Sequence, residues 1–79
     1  MRPSKENVFA ILARFEQEGR LPDDGPISLF ISGRAGAVRT HATQLAVRVQ
    51  GDIVSARFSR LPFVRPYVFS RQALQNAKL

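Results

Sequence analysis

Gly51-Asp52 stands between two stretches whose apolar residues match in only one register. Glycine followed by aspartate suits a two-residue type II′ hairpin turn, where the first position needs a positive φ. With that turn fixed, Val49 faces Val54, Val47 faces Ala56 and Leu45 faces Phe58. Every facing pair is apolar. The other face carries Ala46, Arg48, Gln50, Ile53, Ser55, Arg57 and Ser59. A slip of one residue would mix the two faces, so the pattern specifies its own register. Strands are predicted near 44–50 and 53–60.

The rest of the chain arranges itself around this hairpin. Ser4 is a helix cap, Glu6 sits in the first turn, and Val8, Ile11, Leu12 and Phe15 follow at helical spacing until Gly19. A helix over about 5–18 follows. Glu16 and Glu18 near its end oppose the helix dipole, so they serve solubility or some other purpose. Leu21-Pro22-Asp23-Asp24-Gly25-Pro26 is a turn-rich connector. Ile27 to Ser32 alternates as a strand, and Gly33 to Gly36 is a loop. Phe63 to Phe69 reads as a further strand, which Pro66 confines to an edge or makes irregular. Ser70 caps a short last helix with Ala73, Leu74 and Ala77. Val38, Thr40 and Ala42 have the opposite parity to Leu45, Val47 and Val49, so a bulge, bend or separate element is expected around His41–Gln44.

These elements predict an α+β fold over a single domain, 1–79. An N-terminal helix packs on a three- to four-stranded, mostly antiparallel sheet, and a short C-terminal helix covers one end. Only 79 residues are present. A core this small holds a net stability on the order of 3–5 kcal/mol.

Charge carries the functional signal. Residues 1–24 hold four basic residues against five acids, a balance of −1. Residues 25–79 hold eight basic residues against Asp52 alone, a balance of +7. Ten of the twelve basic residues are arginine, whose planar fork matches phosphate and carboxylate and stacks on rings. Arginine richness also suits solubility and a GC-rich coding genome. There is no cysteine, which excludes disulfides, zinc-thiolate sites and thiol nucleophiles. His41 is the only histidine, and the six acids have no metal-ligand spacing. No phosphate-loop or dinucleotide motif occurs. The expectation is a protein that is not an enzyme and uses no cofactor or metal. No apolar run is long enough to cross a membrane, and Met1 to Glu18 does not read as a signal peptide, so a cytoplasmic location is expected.

Two places could bind a polyanion. Gly33-Arg34-Ala35-Gly36, with Arg39 beyond, has the GxxG form and resembles the loop of the KH family of single-strand binders. The resemblance covers about residues 31–45 and implies contact with a nucleic-acid backbone. In that family the loop joins two helices, whereas here Ile27–Ile31 reads as a strand and Val38, Thr40 and Thr43 disfavour a helix. The segment therefore also reads as a plain hairpin loop, and the chain is not assigned to the family. The second place is the polar hairpin face, where Arg48 and Arg57 lie together. A neighbouring strand of matching parity adds Phe63, Arg65 and Tyr67, giving phosphate contacts interleaved with rings. Alternatively, Phe63 and Phe69 are core and the arginines solvate an open sheet face.

The leading expectation is nucleic-acid binding through this surface, with Arg34, Arg39, Arg48, Arg57, Arg65 and Tyr67 as candidate binding residues. The rival is an inhibitor or adaptor that docks on an acidic or nucleic-acid-handling site of a larger protein. Small phage and plasmid proteins of the anti-CRISPR type resemble the chain in size and character. A third reading is a homodimer that pairs edge strands.

Overall fold

The computed structural model describes residues 4–32, 40–60 and 63–79, without the side chains of 29–32 and 40–43. It is an α+β arrangement: a four-stranded antiparallel sheet in the order β1-β2-β3-β4, with both helices on one face. The elements are α1 (Lys5–Gln17), β1 (Asp24–Ser32), β2 (Thr40–Gln50), β3 (Ile53–Phe58), β4 (Tyr67–Ser70) and α2 (Arg71–Asn76).

Helix α1 has both ends specified by local sequence. The Ser4 hydroxyl accepts from the Asn7 backbone N–H at 3.1 Å. At the other end Gly19 adopts φ +71°, its N–H bonds the Glu16 carbonyl, and the Arg20 N–H bonds the Phe15 carbonyl at 2.8 Å. This is the Schellman arrangement, which satisfies carbonyls the helix leaves open. The Arg20 guanidinium covers the Phe15 ring at 4.9 Å, supplying the side-chain contact that accompanies the motif.

The central hairpin forms in the expected register, with Leu45, Val47 and Val49 opposite Phe58, Ala56 and Val54. Gly51 has φ +61° and Asp52 does not have a positive φ, the pattern of a II′ turn. The inner sheet face contributes Ile27, Leu45, Val47, Val54, Ala56, Phe58 and Phe69 to the core. Val8, Leu12 and Ala13 of α1 and Leu74 of α2 close over them. Phe9 meets Phe69 edge-to-face, with ring centroids 5.5 Å apart.

Three expectations are corrected. The first is the break around His41–Gln44. β1 pairs with β2 without an inserted residue, from Asp24↔Arg48 to Ser32↔Thr40. Threonine and alanine are small and tolerate either face, so their parity imposes no bulge. The second is the extent of the last strand. It begins at Tyr67, one residue after Pro66, because proline has no donor for the ladder. The third is the parity of Tyr67. It pairs with Ala56, a core residue, and is half-buried against the core on the helix side. The register against β3 sets the faces: Tyr67 lies opposite inward-facing Ala56, and Val68 lies opposite Ser55 on the outer face.

Helix α2 has six residues, too few to persist alone. Neighbouring elements hold it at both ends. Asp52, in the hairpin turn, accepts from the Ser70 hydroxyl at 2.7 Å and the Gln72 N–H at 3.0 Å. Its carbonyl accepts from the Arg71 N–H at 2.7 Å. Gln17 donates to the carbonyls of Leu74 and Ala77 at the far end. Among the described residues, no helix is long and apolar enough to cross a membrane.

Candidate functional site

Two arginines project from the sheet face opposite the helices, for reasons set by the hairpin. Arg48 on β2 pairs with Ser55, and Arg57 on β3 pairs with Ala46. The two arginines are thus diagonal neighbours on one face, about 7–8 Å apart at the backbone. Both are exposed. Their partners, Ala46 and Ser55, are small, so the sheet surface between them is low. The result is a cleft of about 400 Å³. Asp24, Arg48, Arg57 and Pro66 border it, and Ala46, Val47, Ser55 and Ala56 also line it.

Charge in the cleft is mostly positive. Asp24 lies opposite Arg48 in the strand pairing and tempers it. The ion pairs among the described residues are Arg20–Glu18 and Arg71–Glu16, so neither cleft arginine is neutralised by a contact of that kind. A basic concavity of this form can take phosphate or carboxylate oxygens through the guanidinium forks. Among the described residues no group of three or more His, Cys, Asp or Glu is placed to hold a metal ion.

Arg71 shows the opposite fate of the same side-chain type. Its Nε and Nη2 donate to the Glu16 carboxylate at 2.8 and 3.2 Å, and Gln75 donates to the same carboxylate at 2.8 Å. Only 7% of the Glu16 side chain is exposed, against 35% for Arg71. The bonds from Arg71 and then Gln75 hold the Glu16 carboxyl below its ordinary value of 4.5, outweighing desolvation, and Glu16 in turn raises Arg71. Here lies the reason for an acid at the wrong end of the helix dipole: it joins α1 to α2.

The expected binding residues therefore fall into separate groups. Arg48 and Arg57 come together. Arg65 is exposed on the turn before β4, next to Pro66 at the cleft border. Tyr67 faces the helix layer and does not join them. Arg34, Arg39 and the GxxG segment lie outside the described residues. Two features went unread in the sequence. Phe63, also assigned there to either strand face or core, is 93% exposed on the β3–β4 turn. Val68 and Ile53 are about half exposed, at 52% and 51%, on the outer face of the sheet. The signal for Phe63 was present in Pro66, which keeps the segment before it out of the sheet.

No protein-family model, curated protein or solved structure matches the chain. The geometry of this face is the basis on which its function is judged.

Proposed function

We propose that the protein is a non-enzymatic nucleic-acid-binding module whose phosphate contacts are Arg48 and Arg57, with Arg65 beside them. The observation that carries the reading is the pairing of two exposed arginines, neither in ion-pair contact with a carboxylate among the described residues, across a cleft on the open sheet face. The other charges support it. Beyond Asp24, which lies opposite Arg48, the only acid is Asp52, and it caps α2. On the helix side, Arg71 is already bound to Glu16. What remains on the open side is a field that attracts a polyanion. Binding of this kind depends on counterion release, so affinity falls steeply as salt rises. Fluorescence anisotropy with labelled single-stranded and duplex DNA and RNA, across a salt series, tests it. The reading requires salt-dependent binding at low ionic strength. A flat response to every oligonucleotide contradicts it.

A second reading has its own observation. Ile53 and Val68 expose apolar area on the same outer face, and Asp24 interrupts the basic cleft. A mixed apolar and basic surface also suits an acidic protein, with the chain acting as inhibitor or adaptor. A pull-down from native lysate separates the two. A partner retained after nuclease digestion favours the protein reading, and loss of all partners favours nucleic acid.

A further inference from the structure

Phe63 is 93% exposed on the turn between β3 and β4, and Val64 beside it is 47% exposed. A single apolar side chain in water needs no explanation. The surroundings of Phe63 set it apart. Arg60 and Arg65 flank it in sequence, both are exposed, and no acidic residue follows Asp52 anywhere in the chain. Phe63 lies three residues before Pro66, which borders the Arg48–Arg57 cleft. Three residues span at most about 11 Å, so the Phe63 backbone lies within that reach of the cleft.

From this we infer that Phe63 is a stacking platform for an unpaired base, and that the ligand class of the face is single-stranded nucleic acid. The inference rests on the nucleic-acid reading above and narrows it. Duplex bases are stacked on one another and offer no free face to a side chain without unstacking. A single strand offers a π-face at every base, whatever its sequence. Arginines on both sides of an exposed ring combine backbone contact with stacking, the pairing that non-specific single-strand binders use. Tyr67, the ring with a polar handle, is turned into the core and does not compete for the role. A membrane surface is the other partner for a basic, apolar turn. One phenylalanine and one valine bury little acyl-facing area, and the adjoining cleft suits phosphates held along a chain.

The chain has no tryptophan, which gives the experiment a direct probe. Phe63→Trp introduces the only indole, and stacking on a base quenches its fluorescence. Phe63→Ala and Phe63→Leu remove the ring, the second while keeping apolar area. Because Phe63 is exposed, all three should keep the wild-type melting curve. Anisotropy with one labelled oligonucleotide, as single strand and as duplex, gives the main readout. Phe63→Ala and Phe63→Leu should weaken single-strand binding by about 5- to 150-fold and leave duplex binding and the salt slope unchanged. Phe63→Trp should bind within about twofold of wild type and be quenched by the single strand alone. Unchanged single-strand affinity in Phe63→Ala, or an equal loss with duplex, overturns the stacking role. If the wild type still binds with a steep salt slope, the arginine reading survives that result. If the wild type binds no oligonucleotide at low salt, both fall. A third arm uses phosphatidylserine vesicles. Vesicle binding that Phe63→Ala abolishes, with single-strand affinity intact, makes the turn a membrane contact and overturns the inference.

Discussion

Arg71 and Arg57 are the same residue type in the same basic half of the chain, yet the fold uses them in opposite ways. Arg71 lies on the helix side, where Glu16, Gln75, Asp52, Ser70 and Gln17 form a set of bonds that fasten α2 to α1 and to the hairpin turn. Arg57 lies on the open side, across from alanine, with no carboxylate in ion-pair contact among the described residues. Net charge alone therefore does not measure binding capacity. Polar groups that bridge elements hold the fold together, while those left facing water over small neighbours remain open to a ligand. Substitutions on the two sides should separate stability from binding.

The largest effect is expected on the helix side, in the core beneath both layers. Phe58 pairs with Leu45 and is 8% exposed. Phe58→Ala should cost about 3–5 kcal/mol, comparable to the stability of a domain this small. Circular dichroism should find the variant largely unfolded at room temperature. A wild-type melting curve would mean that Phe58 does not anchor the hairpin.

A smaller effect is expected where α1 meets α2. Arg71 is one-third exposed, and water screens its charge, so the hydrogen bonds to Glu16 matter more than bare attraction. Glu16→Gln should lower the Tm by about 4–8 °C at neutral pH, the shift that removal of about one net hydrogen bond brings in a domain of this length. The pH dependence follows from the direction of the Glu16 shift. A carboxyl held below its ordinary 4.5 stabilises the fold above that value and loses its contribution as pH falls through the folded-state value. The Tm gap between wild type and Glu16→Gln should be constant above about pH 5.5 and close as the pH drops below about 4.5. A gap that is the same at pH 3 and pH 7 would show that the ionised carboxylate contributes nothing.

The two sides of the molecule also differ in how far the sequence reveals them. The central hairpin was legible because turn chemistry and apolar pairing demanded the same register, from Leu45↔Phe58 to Val49↔Val54. Helix α1 was legible because Ser4 and Gly19 are local signals. Arg48 and Arg57 followed from the hairpin's parity. What failed depended on longer-range information. The face of Tyr67 depends on the register of β4 against β3, which places it opposite inward-facing Ala56. The smooth course of β2 through His41–Gln44 depends on its pairing with β1, and Thr40 and Ala42 are too small to reveal a face. Asp52 caps α2 across 18 residues of sequence, and Glu16 meets Arg71 across 55. No local pattern encodes such pairings.

The smallest effect on stability is expected on the open face, and it comes with the most direct test of the account. Arg48→Ala with Arg57→Ala removes two exposed side chains, so stability should stay within about 0.5 kcal/mol of wild type. Binding to a labelled single strand, titrated across a salt series, should weaken for every sequence tried. The slope of log affinity against log salt should flatten by about 1.4, near 0.7 for each phosphate that an arginine no longer neutralises. A folded double variant whose affinity and slope equal those of the wild type would contradict the assignment of this face to a polyanion.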